Sequence, residues 1–410
     1  MAPEEGMVEY IGTGQLQVTV YLGSVARPVA EAHITIMDSI TNTTIMELDT
    51  NELGKAPLVS LPTPPLDFSM NPDEPRPFSQ YNLMVQRKGD VAVQIEHVQV
   101  YPDSIALQNV FLKPETQTIS IPYPVLWGDF PPKIPEAEVK PLPFPSDLVV
   151  LPKPVIPEFI VVHTGAPSNT SVADYTVGYK DYLKNVASSE IYTTWEREAL
   201  KANLLAINSF TLNRVYTEWY RGKGFDFTIT NSTAYDQAFT YGRTIYDEIS
   251  AVVDEIFTTY ITRPDIMQPL FTQYSDGRRV VRDGWLSQWG SQELAKQGYS
   301  AEQILKNYYG QEIIFKQAEK VQGIPMSFPG YVLKLGSRGE EVKMIQRQLN
   351  AISNNYPAIQ KVAVDGVYGE ATQAAVRKFQ EAFNLPVTGE VNFPTWYEIS
   401  NVFVAVEKLA

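Results

Sequence analysis

The chain has no cysteine. That excludes disulfides and thiolate metal sites, and it leaves the redox compartment open. Histidine is almost as scarce. His33, His97 and His163 are the only three, far apart in sequence and with no HExxH-type pair among them. No metal site and no cofactor is expected, and a Ser-His-Asp triad has little material to work with. No apolar run approaches the ~20 residues that a membrane span needs. Positive charge is short as well, with 33 Lys and Arg against 47 Asp and Glu, a net charge of -14. That argues against nucleic acid as a partner, because phosphate binding needs excess Lys and Arg. It argues equally against an anionic membrane surface. The first residues, "MAPEEGMVEYIGTGQLQ", have neither a basic start nor an apolar core, so no signal peptide is expected.

What is present divides the 410 residues into several domains. The acid excess belongs mostly to the N-terminal part. Residues 1–157 carry 9 basic and 19 acidic residues, whereas residues 331–410 carry 8 of each. Solubility is the simplest account of it. Residues 1–113 read as β. "GQLQVTVYLG", "AEAHITIMD" and "YNLMVQRKGDVAVQIEHVQVYPD" alternate apolar and polar positions, which predicts a small antiparallel β-sandwich. Residues 114–157 hold twelve of the chain's 30 prolines. Proline sets φ and removes a donor, so this stretch is expected to be an extended connector. Within it "SDLVVLPKP" offers a short apolar segment suited to proteolysis, at Leu148, Val149 or Val150.

Residues 158–325 read as mainly α with some β, an α+β domain. "TVGYKDYLKNVASSEI" predicts a short helix, and "TTWEREALKANLLAINSFTLNRVYTEWYR" a long one. Thr193 and Glu196 suit a capping box at its start, and Gly222 and Gly224 a stop. "SAEQILKNYYG" predicts a capped final helix. Residues 331–410 predict a three-helix bundle, with Val342, Ile345 and Leu349 on one helix face and Ala375, Val376 and Phe379 on the next.

Four resemblances follow from particular residues. "GQLQVTVY", "RPVAEAHITI" and "TNELG" resemble the transthyretin-like or carboxypeptidase-regulatory-like modules, which implies a structural role. "LGSRGEEVKMIQRQLN", "VDGVYGEATQAAVRKFQ" and "VTGEVNFPTW" are similar to the peptidoglycan-binding bundle of bacterial wall hydrolases, with Gly369 and Gly389 as turns and Thr372 as a helix cap. "YLKNVASSEIYTTWEREALKANLLAINSF", "STAYDQAFTYG" and "LSQWGSQELAKQGYSAEQILKNYYG" resemble the sporulation protein D/LytB-type domain, a peptidoglycan lytic transglycosylase. That resemblance puts the catalytic acid on Glu190 and substrate contacts on Gln237, Tyr241, Ser287 and Gln288. The order of all these blocks resembles the spore cortex-lytic enzymes. It implies a proenzyme, made in the mother cell and stored in the spore cortex or coat region. A subtilisin-like germination protease would activate it.

A lytic transglycosylase can work with one carboxylate, which protonates the leaving oxygen and then accepts a proton from the substrate's own C6 hydroxyl. The uncharged neighbours Ala187, Ser188, Ser189 and Ile191 suit a raised pKa at Glu190. Glu196 and Glu198 read as first-turn helix residues. Tyr235, Tyr241, Trp285 and Trp289 are candidates for stacking on sugars or for the core. Arg278, Arg279 and Arg282 are candidates for muropeptide carboxylates or for a solvated loop. Two other functions stay open: an N-acetylmuramoyl-L-alanine amidase, which the scarce histidines disfavour, and a non-catalytic wall-binding or amidase-activating scaffold.

Overall fold

The computed structural model describes residues 12–87, 92–142 and 153–408. Leu148, Val149 and Val150 lie outside the described residues. The N-terminal part is β. Its strands are β1 (Gly12–Leu22), β2 (His33–Asp38), β3 (Thr44–Asp49), β4 (Val59–Thr63), β5 (Ser79–Gln86), β6 (Val93–Val100), β7 (Ile105–Leu112) and β8 (Gln117–Ser120), with a single turn of helix, α1 (Asp67–Met70), between β4 and β5. Alternation does what the sequence implies: Leu16, Val18 and Val20 of β1, Ile34 and Ile36 of β2, and Leu83 and Val85 of β5 are all buried in one core.

The sheets are mixed, not wholly antiparallel as expected. β1 pairs antiparallel with β4 but parallel with β7, and β6 pairs parallel with β8. A parallel pair needs a long crossover. Between β1 and β7 that crossover holds strands β2, β3, β5 and β6 of the second sheet, ordered β3-β2-β5-β6-β8.

The middle region begins with β9 (Phe159–His163) and β10 (Asp174–Gly178), followed by α2 (Tyr179–Glu190) and α3 (Arg197–Tyr216). Then come β11 (Ile229–Thr230), β12 (Ile245–Tyr246), α4 (Asp247–Ile256), β13 (Thr259–Thr262), β14 (Tyr274–Ser275), β15 (Leu286–Ser287), α5 (Gln288–Lys296), α6 (Ala301–Tyr309) and β16 (Ile314–Gln317). Helix α3 is buried along most of its length, with Leu204, Ile207 and Phe210 inside. It starts at Arg197 rather than Thr193, because Glu196 is extended (φ -51°, ψ 137°) and makes no side-chain cap. It ends at Tyr216, before the two glycines. The box at Ser300 and Gln303 does cap α6.

The middle region and the β region are interlocked. β12 pairs with β7, extending the first sheet to the order β12-β7-β1-β4. Tyr101 packs on Tyr192 and Tyr246, with ring centroids 5.6 and 5.2 Å apart. Trp195 donates to the Ser69 carbonyl at 3.0 Å. Residues 121–142 are largely extended apart from a turn at 125–128, but they are not a free connector. They form a strap laid across the middle region. Val125 donates to the Ser189 carbonyl (2.8 Å), Ile134 to the Ala234 carbonyl (2.7 Å), and Thr233 to the Pro131 carbonyl (2.9 Å). Prolines suit such a strap, since their carbonyls accept while their missing N–H groups need no partner.

The C-terminal region holds α7 (Glu340–Ile352), α8 (Glu370–Ala382) and α9 (Phe393–Glu407), with Val342, Ile345, Leu349, Val376, Phe379 and Trp396 buried between them. One device occurs twice. Gln346 reaches the Gly366 amide and the Thr372 hydroxyl; Gln380 reaches the Gly389 amide and the Thr395 hydroxyl. Each buried amide therefore ties a loop to the start of the next helix. Thr372 serves Gln346, and α8 has no side-chain cap. Among the described residues no helix is long and apolar enough to cross a membrane.

Candidate active site

Glu190 is the last residue of α2 and is 2% exposed. Its position follows from the helix: Tyr182, Leu183, Val186 and Ala187 bury the inner face, and the last turn carries the acid inward with them. Ala238 donates its amide to Oε1 at 2.8 Å, whereas Oε2 has no hydrogen-bond partner among the described residues. The Tyr274 hydroxyl stands beside Glu190 and favours its charged form, yet neither that hydroxyl nor Oε2 completes a well-formed bond. Burial pushes the carboxyl above its usual range; Lys133, Tyr274 and the Ala238 amide oppose this without cancelling it. The negative end of the α2 dipole acts in the same direction as burial.

A cavity of about 300 Å³ opens at Glu190. Gln288, Tyr274, Thr233 and Asp276 line it from the middle region, and Phe130 and Lys133 from the strap. Gln288 is placed there by Ser287, which caps α5 by accepting from the Gly290 amide at 2.9 Å. Beside it β14 and β15 approach closely at Gly277 (φ +79°), where a Cβ would stand 1.7 Å from the Ser287 hydroxyl. Only glycine fits that left-handed, crowded position.

Of the four expected substrate contacts, only Gln288 lines the cavity. Ser287 is a helix cap. Gln237 is fully buried beneath the site, accepting from Tyr182 (3.0 Å) and Thr211 (2.8 Å) and donating to the Ile207 carbonyl (3.1 Å). Tyr241 stacks on Tyr175 at 4.7 Å and does not line the cavity. Trp289 packs on Trp195 at 5.0 Å, and Trp285 is buried. Glu198 lies in the first turn of α3 and binds the Ala301 amide at 2.6 Å. His163 pairs with Asp174 at 2.7 Å and stacks on Phe227, away from the cavity. Among the described residues no three His, Cys, Asp or Glu side chains come together as a metal site.

Residues that the sequence reading missed complete the site. Asp236 is buried and accepts from Arg214 (2.7 Å), Tyr220 (2.6 Å) and Thr230 (2.9 and 2.7 Å). Arg214 also grips Glu136 of the strap with both terminal nitrogens, at 3.1 and 2.6 Å. Asp276 is spent on its own loop. It accepts from the Arg278 and Val280 amides (3.1 Å each) and from the Arg279 guanidinium (2.5 Å). Burial of Asp276 works against its charge, but these donors outweigh it and hold the carboxyl below its usual range. Arg279 reaches on to the strap carbonyls of Gly128 and Val125, at 2.6 Å each. No local pattern in the sequence flags Lys133 or Tyr274, because their partners lie about sixty residues or more away in the chain.

Residues 169–262, which include Glu190 and Ala238, match the family described as Stage II sporulation protein. Residues 338–399, which span α7 and α8, match the family described as putative peptidoglycan binding domain. This pair fits a SleC-like spore cortex-lytic enzyme. Together the matches support a cell-wall-acting protein tied to sporulation or germination. Among solved structures, the SleB N-terminal domain is 36% identical to a stretch covering 18% of this chain and 93% of that one, at a TM-score of 0.16. A chlorocatechol 1,2-dioxygenase from Pseudomonas putida is 12% identical, covering 28% of this chain and 61% of that one, also at 0.16. No curated protein matches the chain.

Proposed function

We propose that the chain is a lytic transglycosylase of spore cortex peptidoglycan, stored as a proenzyme. One observation carries this reading. Glu190 lines the cavity as a buried carboxyl whose Oε2 has no hydrogen-bond partner among the described residues. A hydrolase of this substrate class ordinarily needs a second carboxylate to activate water or attack the sugar. Asp276 has both oxygens engaged in its loop, and Asp129 belongs to the strap. A lone acid suits the transglycosylase route. Protonated Glu190 gives its proton to the glycosidic oxygen between N-acetylmuramic acid and N-acetylglucosamine, and that bond breaks. The resulting carboxylate takes the proton of the C6 hydroxyl, whose oxygen bonds to the anomeric carbon. The product is a 1,6-anhydromuramic end, and Glu190 is again protonated. Burial raises the pKa of Glu190, which favours the proton-bearing form that this step needs.

On this reading residues 1–113 form a sandwich-type prodomain and residues 114–157 the activation segment. Residues 158–325 form the catalytic domain, and residues 331–410 the bundle that holds the glycan. A subtilisin-like germination protease cuts near Leu148, Val149 or Val150, and the protein acts in the cortex or coat region of the spore. The test is mass spectrometry of cortex digested by the processed protein. Anhydromuramic ends are the expected product. Reducing muramic ends would mean a hydrolase, with Asp276 as the second carboxylate. Free stem peptides would mean an amidase.

A further inference from the structure

We propose that the strap is an internal inhibitor, and that the Lys133 ammonium stands where the positively charged sugar ring of the transition state would sit. This rests on the proposed glycosidic chemistry at Glu190 and adds the identity of the site's resident occupant.

The surroundings of Lys133 carry the argument. Its ammonium donates to the Asp236 carbonyl and lies 4.7 Å above the Phe210 ring and 4.9 Å above the Tyr274 ring. Glu190 faces it across the same cavity. A carbonyl oxygen, two aromatic faces and a carboxyl favour positive charge there, while burial first, and the Arg214 guanidinium, lower the pKa of Lys133 itself. Lys133 comes from the strap; the groups around it come from the middle region. A sugar undergoing glycosidic cleavage develops positive charge at its ring, so the same surroundings suit an oxocarbenium-like sugar. Occupation by Lys133 also works against the proton-bearing form of Glu190, though without outweighing burial.

The strap is held on both sides of Lys133. On one side Arg279 grips the Gly128 and Val125 carbonyls. On the other, Arg214 holds Glu136, Arg263 holds Glu138 (2.7 Å), and Gln268 exchanges two bonds with the Lys140 backbone (2.8 and 3.0 Å). The occupant is therefore clamped and continuous with the N-terminal region. A chain cut beyond residue 142 frees one end of it without breaking any of these contacts. Activation then has two steps, scission followed by withdrawal of the strap.

Because the chain has no cysteine, an introduced pair can join only to each other within one molecule. Ile134 and Ala234 are backbone hydrogen-bonded neighbours, suited to such a lock. The full chain carrying Ile134→Cys and Ala234→Cys is nicked with subtilisin within residues 143–152, keeping both fragments. It is then assayed oxidised and reduced, for cortex cleavage and for calorimetric binding of chitotetraose. Binding and cleavage are expected in the reduced form, with at least a tenfold loss in the oxidised form. Equal binding in the two forms would overturn the proposal. Binding that follows reduction without anhydro products would keep the strap and sink the transglycosylase reading. In the uncut chain, Lys133→Met is expected to raise chitotetraose affinity at least tenfold over wild type. An unchanged affinity in a folded Lys133→Met protein would remove Lys133 from the role.

Discussion

The backbone amide of Ala238 donates to Oε1 of Glu190 at 2.8 Å, and Oε2 has no hydrogen-bond partner among the described residues. Glu190→Gln keeps the acceptor for Ala238 and removes the transferable proton. Cortex cleavage by the nicked protein should fall on the order of 10³-fold, within the range for general acid–base groups. The readout is anhydromuropeptide yield by mass spectrometry, with circular dichroism checking the fold. Near-wild-type yield would reject Glu190 as the acid.

The same substitution should stabilise the chain at neutral pH. Burial raises the folded pKa of Glu190 above its unfolded value, so the folded state holds the proton more tightly. Stability from this group is then fully present below about pH 4.3 and is lost as pH rises through the raised folded pKa. Glutamine does not pay that cost. The melting temperature of Glu190→Gln should exceed wild type at pH 7 and match it near pH 4. A gap that is equal at both pH values would mean that the carboxyl is not strained by burial.

Acid should loosen the junction between the middle and C-terminal regions. Asp254 binds Lys180 (2.9 Å) and Lys184 (3.0 Å), and Lys180 also binds Glu398 of α9 (2.7 Å). Burial works against the Asp254 charge, but the two lysines outweigh it and hold its carboxyl below the usual range. A depressed acid contributes stability above its unfolded pKa of about 3.9 and loses it as pH falls through the folded one. Asp254→Asn leaves buried ammonium groups short of charge and should cost about 3 kcal/mol near pH 6, with a smaller penalty near pH 3. Urea midpoints at the two pH values decide it.

Arg243 ties three parts of the molecule together. It donates to the Ser188 carbonyl (3.0 Å), the Pro122 carbonyl (2.9 Å) and the Gln99 side chain (2.9 Å). With β12 paired to β7, this contact should keep the two halves of a nicked chain together. Nicked wild type is expected to elute from a sizing column as one species. Nicked Arg243→Met should separate into fragments, because three buried acceptors lose their donor at about 1–3 kcal/mol each. Co-elution of both proteins would assign the retention to the sheet alone.

Much of this was legible in the chain. Period-two alternation in β1, β2 and β5, the Ser300 capping box and the apolar faces of α7 and α8 are local patterns, and local patterns survive folding because strand and helix periods set which side chains share a face. Glu190 became a candidate acid only through the order of blocks around it. The parallel pairing of β1 with β7 was not, since register between strands about eighty residues apart depends on the crossover between them. Nor was the burial of Gln237, whose partners Tyr182 and Thr211 lie 55 and 26 residues away and are chosen by packing.

By itself the sequence determined the β and helical periodicities, the candidacy of Glu190 and the lack of any thiol. Only the tertiary structure decided that the proline-rich stretch is a docked strap, with Lys133 beside Glu190. Proline dictates an extended backbone through its own ring. What that backbone lies against depends on charge and carbonyl partners up to about 150 residues away, which no local pattern encodes.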